Sequence, residues 1–380
     1  MSSAPVDVPN PEPQEDADDE EMPRVVITRE RALLFGIFVL SALAFLYFVL
    51  PKLKGGSESI KGLGDGKPGW LVVALFLEFL SFMGYVMLFR TVFVRGEADE
   101  RRLNRRASYE ITLAGLAATR LFAAAGAGGI ALTAWALRRA GMERRRVATR
   151  MVAFLSLLYA VYMSALIIVG FGLYFGILNG PAPLGLTVVP AIFALILWGL
   201  FLGMSLLPSD TERRLAHWAS GSGRVARLLA KAVTIPASAA AGVRTALSLA
   251  YHREWGILGA VAWWGFDIAT LWACFHAYGP NPPPFSVIIM AYFVGMLANT
   301  LPLPGGIGGV DGGMIGAFVA FDVPFGYAAT AVVAYRAFAF WLPTLPGAVA
   351  YFQLRKRVAG WRAERGRQES SEGATVPAQA

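Results

Sequence analysis

Six apolar runs, at roughly 32–50, 69–94, 148–178, 184–207, 255–278 and 324–352, dominate this chain of 380 residues. Each is long enough to cross the hydrocarbon of a bilayer, which takes about 20 residues of helix. Short charged stretches separate them. Helices are the structure that satisfies every backbone N–H and C=O within a spanning segment, so the chain reads as an all-α integral membrane protein. With 56% of its residues hydrophobic and only 16% charged, it leaves little material for a soluble domain.

Loop charge sets the expected topology. Arg24, Arg29 and Arg31 precede the first run, and five arginines lie in 95–108. Arg138, Arg139, Arg144, Arg145, Arg146 and Arg150 lie in 138–150, and the loop at 208–254 and the tail from Arg355 are also basic. The stretches at 179–183 and 279–284 carry no charge. The positive-inside rule places the basic loops and both termini in the cytoplasm of a plasma membrane protein. The lysines of 51–68 then fall outside, against that rule. The net charge of +8 belongs to these loops, so the expected partner is lipid and not nucleic acid.

Two further apolar regions, 109–139 and 285–322, are interrupted by glycine: at Gly126, Gly128 and Gly129 in the first, and between Pro302, Pro304, Gly305, Gly306, Gly308 and Gly309 in the second. Each is too short for two spans. Both flanks of the first are basic, so it is expected to enter and return on one side as two half-helices. The second has the same form and is expected to dip in from the opposite side. A shift of 181 residues superposes the two breaks and aligns Leu116-Ala117 with Leu297-Ala298 and Thr119 with Thr300.

Each half therefore reads span, span, re-entrant hairpin, span. Three is odd, so the second half is expected upside down relative to the first, an inverted-topology repeat. The expected layout is a disordered acidic tail at 1–28, a membrane domain at 29–358 and a disordered basic tail at 359–380. Repeat 1 covers about 32–178 and repeat 2 about 184–352, with an amphipathic cytoplasmic loop at 208–254 resting on the leaflet.

Ionisable residues at membrane depth are costly and mark function. Glu78, Arg120, Asp267 and Arg336 fall about ten residues into their helices, near the midplane, and Asp311 opens the half-helix after the second break. Arg120 and Arg336 present planar forks suited to phosphate, or pair internally with Glu78, Asp267 or Asp311. Asp311 is also placed to cap its half-helix. Asn299 sits beside the second break, where polar backbone could meet a ligand. Arg90 lies near enough to the cytoplasmic end to reach it. Three histidines and Cys274 are poor material for a metal site, and no cofactor is expected.

The stretch Leu301-Pro302-Leu303-Pro304-Gly305-Gly306-Ile307-Gly308-Gly309-Val310-Asp311, followed by Val323-Pro324, Tyr335-Arg336 and Pro343, resembles a known family. This is the flippase-like family related to the transmembrane region of lysylphosphatidylglycerol synthases, of the multiple peptide resistance factor type. Asp311 stands where that family more often has glutamate, and the first break lacks its usual proline. The resemblance implies translocation of an anionic or aminoacylated phospholipid, or another lipid-linked phosphate, between leaflets. Arg336, Arg120, Asp311, Asn299, Glu78 and Asp267 are the expected substrate contacts. It does not extend to a soluble synthase domain, so lysyl transfer is not expected and no catalytic residue is assigned. Two other readings stand beside it. One is a non-transporting scaffold that docks an envelope-synthesis enzyme through 208–254, with a homo-oligomer also open. The other is an intramembrane aspartyl protease using Asp267 and Asp311, whose acids lack the Gly-x-Gly-Asp spacing of such enzymes.

Overall fold

The computed structural model describes residues 63–121, 127–206, 239–297 and 308–373. Every regular element among them is helical. Five helical stretches are long and apolar enough to cross a membrane: Pro68–Phe93, Arg144–Tyr174, Val188–Ser205, Trp255–Tyr278 and Phe325–Glu364. They fall on five of the six expected spans; the sixth, at 32–50, lies outside the described residues.

In chain order, α1 (Pro68–Phe93) opens on a proline in its first turn, where no N–H is needed. A short α2 (Glu97–Arg102) follows. Then come α3 (Arg105–Leu121) and α4 (Ala127–Arg139), the two arms of the first broken region. The spans α5 (Arg144–Tyr174) and α6 (Val188–Ser205) lead to α7 at 239–251. α8 (Leu258–Tyr278) precedes α9 (Phe285–Leu297) and α10 (Gly309–Ala320), the arms of the second broken region. The last stretch joins α11 (Phe325–Arg336) through a π-helical turn at Ala337–Trp341 to α12 (Leu342–Gly373).

The spine of the molecule is α1 packed antiparallel on α8, the second span of each half. Lys67 N–H donates to the Ala277 carbonyl at 3.0 Å, Thr270 Oγ1 approaches the Ala74 carbonyl and Ser81 Oγ donates to Trp263 O at 2.8 Å. At the other end of the pair Gly256 lies on Thr91. Lipid tails are as apolar as leucine, so close packing must hold such a pair, and small residues permit it. A Cβ on Gly259 would stand 2.7 Å from Leu88 N, and one on Gly84 2.8 Å from Trp263 N. These are backbone neighbours that cannot yield. Gly259→Val is expected to cost about 1–3 kcal/mol by overpacking, read as a lower unfolding temperature of detergent-solubilised protein, with Gly265→Ala, which faces open space, unchanged.

Both broken regions fold as antiparallel helix pairs. Gly129 of α4 rests on the Gly115 carbonyl and Thr119 of α3, and Gly115 lies near Thr133. Gly295 of α9 lies on Met314 of α10 in the same way. Gly128 and Gly129, expected at the turn, instead occupy the first turn of α4, because the helix begins at Ala127 and Gly129 is needed bare for the close approach. Gly309 likewise begins α10, and Gly308 before it takes a left-handed φ of 82°. Gly126, Pro302, Pro304, Gly305, Gly306 and Asn299 lie outside the described residues.

Each pair leans on the other half of the chain. Gly347 of α12 meets Ala117 and the Leu113 carbonyl of α3, while Tyr162 of α5 donates to Phe293 O of α9 at 2.7 Å. Two apolar cores result. One gathers α9, α10, α11 and the C-terminal half of α5; the other gathers α3, α4, α7, the N-terminal half of α5 and the far part of α12.

The basic loops collect at the second core. Arg95 pairs with Glu254 at 3.3 Å, Arg146 and Arg150 reach Asp99 at 2.7 and 3.1 Å, and Arg102 donates to Ala140 O. Arg90 does reach this end: it meets Glu100, Ser108 and the Leu103 carbonyl. The uncharged loops share the opposite end, where Tyr327 donates to Phe275 O and Ser286 to Asn179 O. Lys67 lies there too, as its bond to Ala277 requires.

Two expectations change. The tail from 359 is expected to be disordered, yet α12 runs to Gly373. Val358 and Trp361 bury themselves three residues apart, and Arg357 anchors on Glu110 at 2.6 Å. The C-terminal part of the amphipathic loop at 208–254 is the helix α7, and it does not simply rest on lipid. Ala240, Val243, Ala246 and Leu249 form a buried stripe, and Gly242 lies against Val152 and the Thr149 carbonyl of α5. Residues 207–238 of that loop lie outside the described residues.

Candidate functional site

Between the two cores lies a seam of charge. Glu78 of α1 and Asp267 of α8 are 2% and 6% exposed, and the antiparallel register of those helices sets them side by side. Apolar residues follow on either side, Ala74 and Phe82 on α1 and Ala260 and Leu271 on α8. Burying two acids this way is tolerable only where polar partners converge.

The partners come from α9 and α11. Tyr292 donates to Asp267 Oδ2 in a short hydrogen bond, and Tyr335 donates to both oxygens of the same carboxylate at 3.1 and 3.0 Å. Thr270 stands beside Glu78, while its own hydroxyl donates back to Phe266 O. Glu78 Oε2 is buried and has no hydrogen-bond partner among the described residues.

Arg120 enters from the end of α3. Its Nη2 donates to Ala339 O at 2.7 Å. That carbonyl is open because residue 343 is proline and cannot supply the α-helical N–H. The π-helical turn sits at the same place, a backbone irregularity of the kind that gathers at functional sites. The guanidinium also lies over the rings of Phe82 and Phe340, at 5.8 and 5.6 Å from their centroids. Nη1 is buried and has no partner among the described residues.

Arg336 closes α11 and lies over the same Phe340 ring, 4.7 Å from its centroid. Its Nε forms an ion pair with Asp311 Oδ1 at 2.6 Å. Asp311 Oδ2 accepts from the Gly308 N–H at 2.9 Å, so this acid caps its half-helix as expected and holds Arg336 as well. The two helix pairs thus meet at Phe340. Arg120 arrives from the tip of one pair, and Arg336 is tied to Asp311 at the tip of the other.

Five of the six site residues read from sequence therefore converge, and Asn299 lies outside the described residues. Asp267 and Asp311 each take a different partner, and the neighbouring acid pair is Glu78 with Asp267. Sequence reading missed Tyr292, Phe82 and Phe340. A phenol inside an apolar run that also contains buried acids was the available signal for Tyr292. For the two phenylalanines there was none, since stacking on a guanidinium leaves no mark in composition. Among the described residues no three His, Cys, Asp or Glu side chains gather as metal ligands.

A family model described as lysylphosphatidylglycerol synthase TM region matches residues 33–347. A UPF0104 membrane protein of Methanothermobacter thermautotrophicus is 34% identical over 104 residues. That match covers 27% of this chain and 29% of the relative.

Proposed function

The chain belongs to the lysylphosphatidylglycerol synthase transmembrane-region family, and on that premise we propose that it moves a phosphate-bearing lipid headgroup between the leaflets of its membrane. The observation that carries the proposal is the pair of guanidiniums at the helix-pair junction, Arg120 and Arg336, both within cation–π range of the Phe340 ring. Arg120 Nη1 is a buried, charged donor with no partner among the described residues, and a phosphate oxygen supplies the strong acceptor it lacks. Docking there, the anion competes with Asp311 for Arg336.

On this reading the helix pairs α3–α4 and α9–α10 are re-entrant hairpins that enter from opposite faces. The two halves are an inverted repeat, with the termini and basic loops in the cytoplasm. The antiparallel packing of α1 on α8 and the gathering of basic loops at one end both support it. Alternating access follows if one half rocks on the other about the α1–α8 spine and opens the junction to each side in turn. Phosphatidylglycerol, its lysyl form and a polyprenyl-linked phosphate share the required anion. A lysyl ammonium would be received by the carboxylate of Asp267.

The test is leaflet exchange in vesicles reconstituted with purified protein. Labelled phosphatidylglycerol, lysylphosphatidylglycerol, a polyprenyl phosphate and a neutral glycolipid with an uncharged sugar headgroup are compared. Protein-dependent exchange of at least one phosphate-bearing lipid, well above that of the neutral one, is expected. Equal exchange of all four, or none from folded protein, overturns the proposal and leaves a docking role as the better account.

A further inference from the structure

The seam holds three carboxyl groups, Glu78, Asp267 and Asp311, against two guanidiniums, Arg120 and Arg336. With all of them ionised, one negative charge is left over in the apolar zone, a state that low dielectric penalises heavily. The three acids are not equivalent. Asp311 is tied to Arg336 and accepts a backbone N–H. Asp267 receives hydroxyl donors from Tyr292 and Tyr335, which suit an ionised carboxylate. Glu78 is 2% exposed and keeps one oxygen without any donor among the described residues.

From this we infer that Glu78 is a proton-binding site, the proton being shared in a hydrogen bond toward Asp267. A neutral carboxyl leaves only a carbonyl oxygen unsatisfied, which costs far less than an unsatisfied carboxylate oxygen. The surrounding groups are consistent from every packed element. Asp267, Thr270 and Cys274 face the pair from α8, Arg120 from α3, Tyr292 from α9, and Tyr335 and Arg336 from α11. On α1 itself Tyr85 lies toward Arg120. Arg120 is a permanent cation beside Glu78, and a headgroup phosphate bound to Arg120 neutralises that cation. This last step rests on the translocation proposal: anion and proton are then held together and cross together. The proton is taken from water on one side and returned to water on the other, so no other reactant is needed.

The experiment is infrared spectroscopy of the full chain in nanodiscs of ether-linked phosphatidylcholine, a lipid without ester carbonyls, at neutral pH, reading the carbonyl stretch of a protonated carboxyl. The band is expected in the wild type, shifted when glutamate carboxyls carry ¹³C, and absent in Glu78→Gln. No band in the wild type, or a band that ignores the glutamate label, overturns the inference even if Glu78→Gln does not fold. The same protein in vesicles separates the two proposals. A labelled band with phosphatidylglycerol exchange that speeds severalfold with an inward proton gradient and slows with an outward one supports both. A labelled band without exchange of any lipid keeps the proton site and overturns translocation.

Discussion

Arg120→Ala is expected to lower protein-dependent exchange of phosphatidylglycerol between leaflets by about ten- to a hundred-fold, the loss of one hydrogen bond between charged partners worth roughly 1.5–3 kcal/mol. The wild-type guanidinium spends Nη2 on Ala339 O and holds Nη1 unpartnered. Removing it takes away the donor aimed at the anion. It leaves the ion pair of Arg336 with Asp311, at 2.6 Å, in place. Arg120→Lys separates charge from shape. An ammonium keeps the positive charge but lacks the planar fork that can hold Ala339 O and reach phosphate at once. It should therefore recover only a small part of the rate. Full activity in Arg120→Ala would place headgroup recognition elsewhere. Exchange of the neutral lipid serves as the control and should not change.

The second large effect concerns stability at the charged end. Glu110 is 1% exposed, and Arg357 grips both its oxygens at 2.6 and 2.9 Å, with the more exposed Arg106 behind it at 3.1 Å. This clamp ties α3 to α12, the one helix in the first half and the other in the second. Arg357→Ala leaves the buried carboxylate with Arg106 as its partner, and the loss of two charged hydrogen bonds should cost about 1.5–3 kcal/mol and lower the unfolding temperature of the solubilised protein. The double change Glu110→Leu with Arg357→Leu removes both charges and should recover most of the loss, since well-packed apolar pairs often equal a buried ion pair. If the single variant unfolds like the wild type, the clamp contributes nothing to stability. If the double variant is as weak as the single one, the loss lies in packing rather than in the buried charge. The tail beyond 358 should also become easier to proteolyse in Arg357→Ala, because its nearest polar anchor is gone.

Much of this molecule was written in local composition. Run length and the rarity of charge determined the helical membrane class, because hydrocarbon leaves the backbone no other local way to satisfy itself. Glycine breaks marked both helix pairs, and loop arginines marked the end at which charge collects. Isolated acids and arginines inside apolar runs picked out Glu78, Arg120, Asp267, Asp311 and Arg336, since lone charges in such runs are too costly to be idle. What the sequence could not give was who meets whom. Those five side chains are up to 258 residues apart, and whether Arg336 pairs with Asp311 or with Asp267 depends on the register of α1 on α8 and on where Pro343 opens the helix. The course of α12 was hidden for the same reason: its polar tail looks disordered until Glu110, from the other half of the chain, is there to hold Arg357. Burial of charge is a local cost, visible residue by residue, but its compensation is a three-dimensional arrangement that only the packed structure decides.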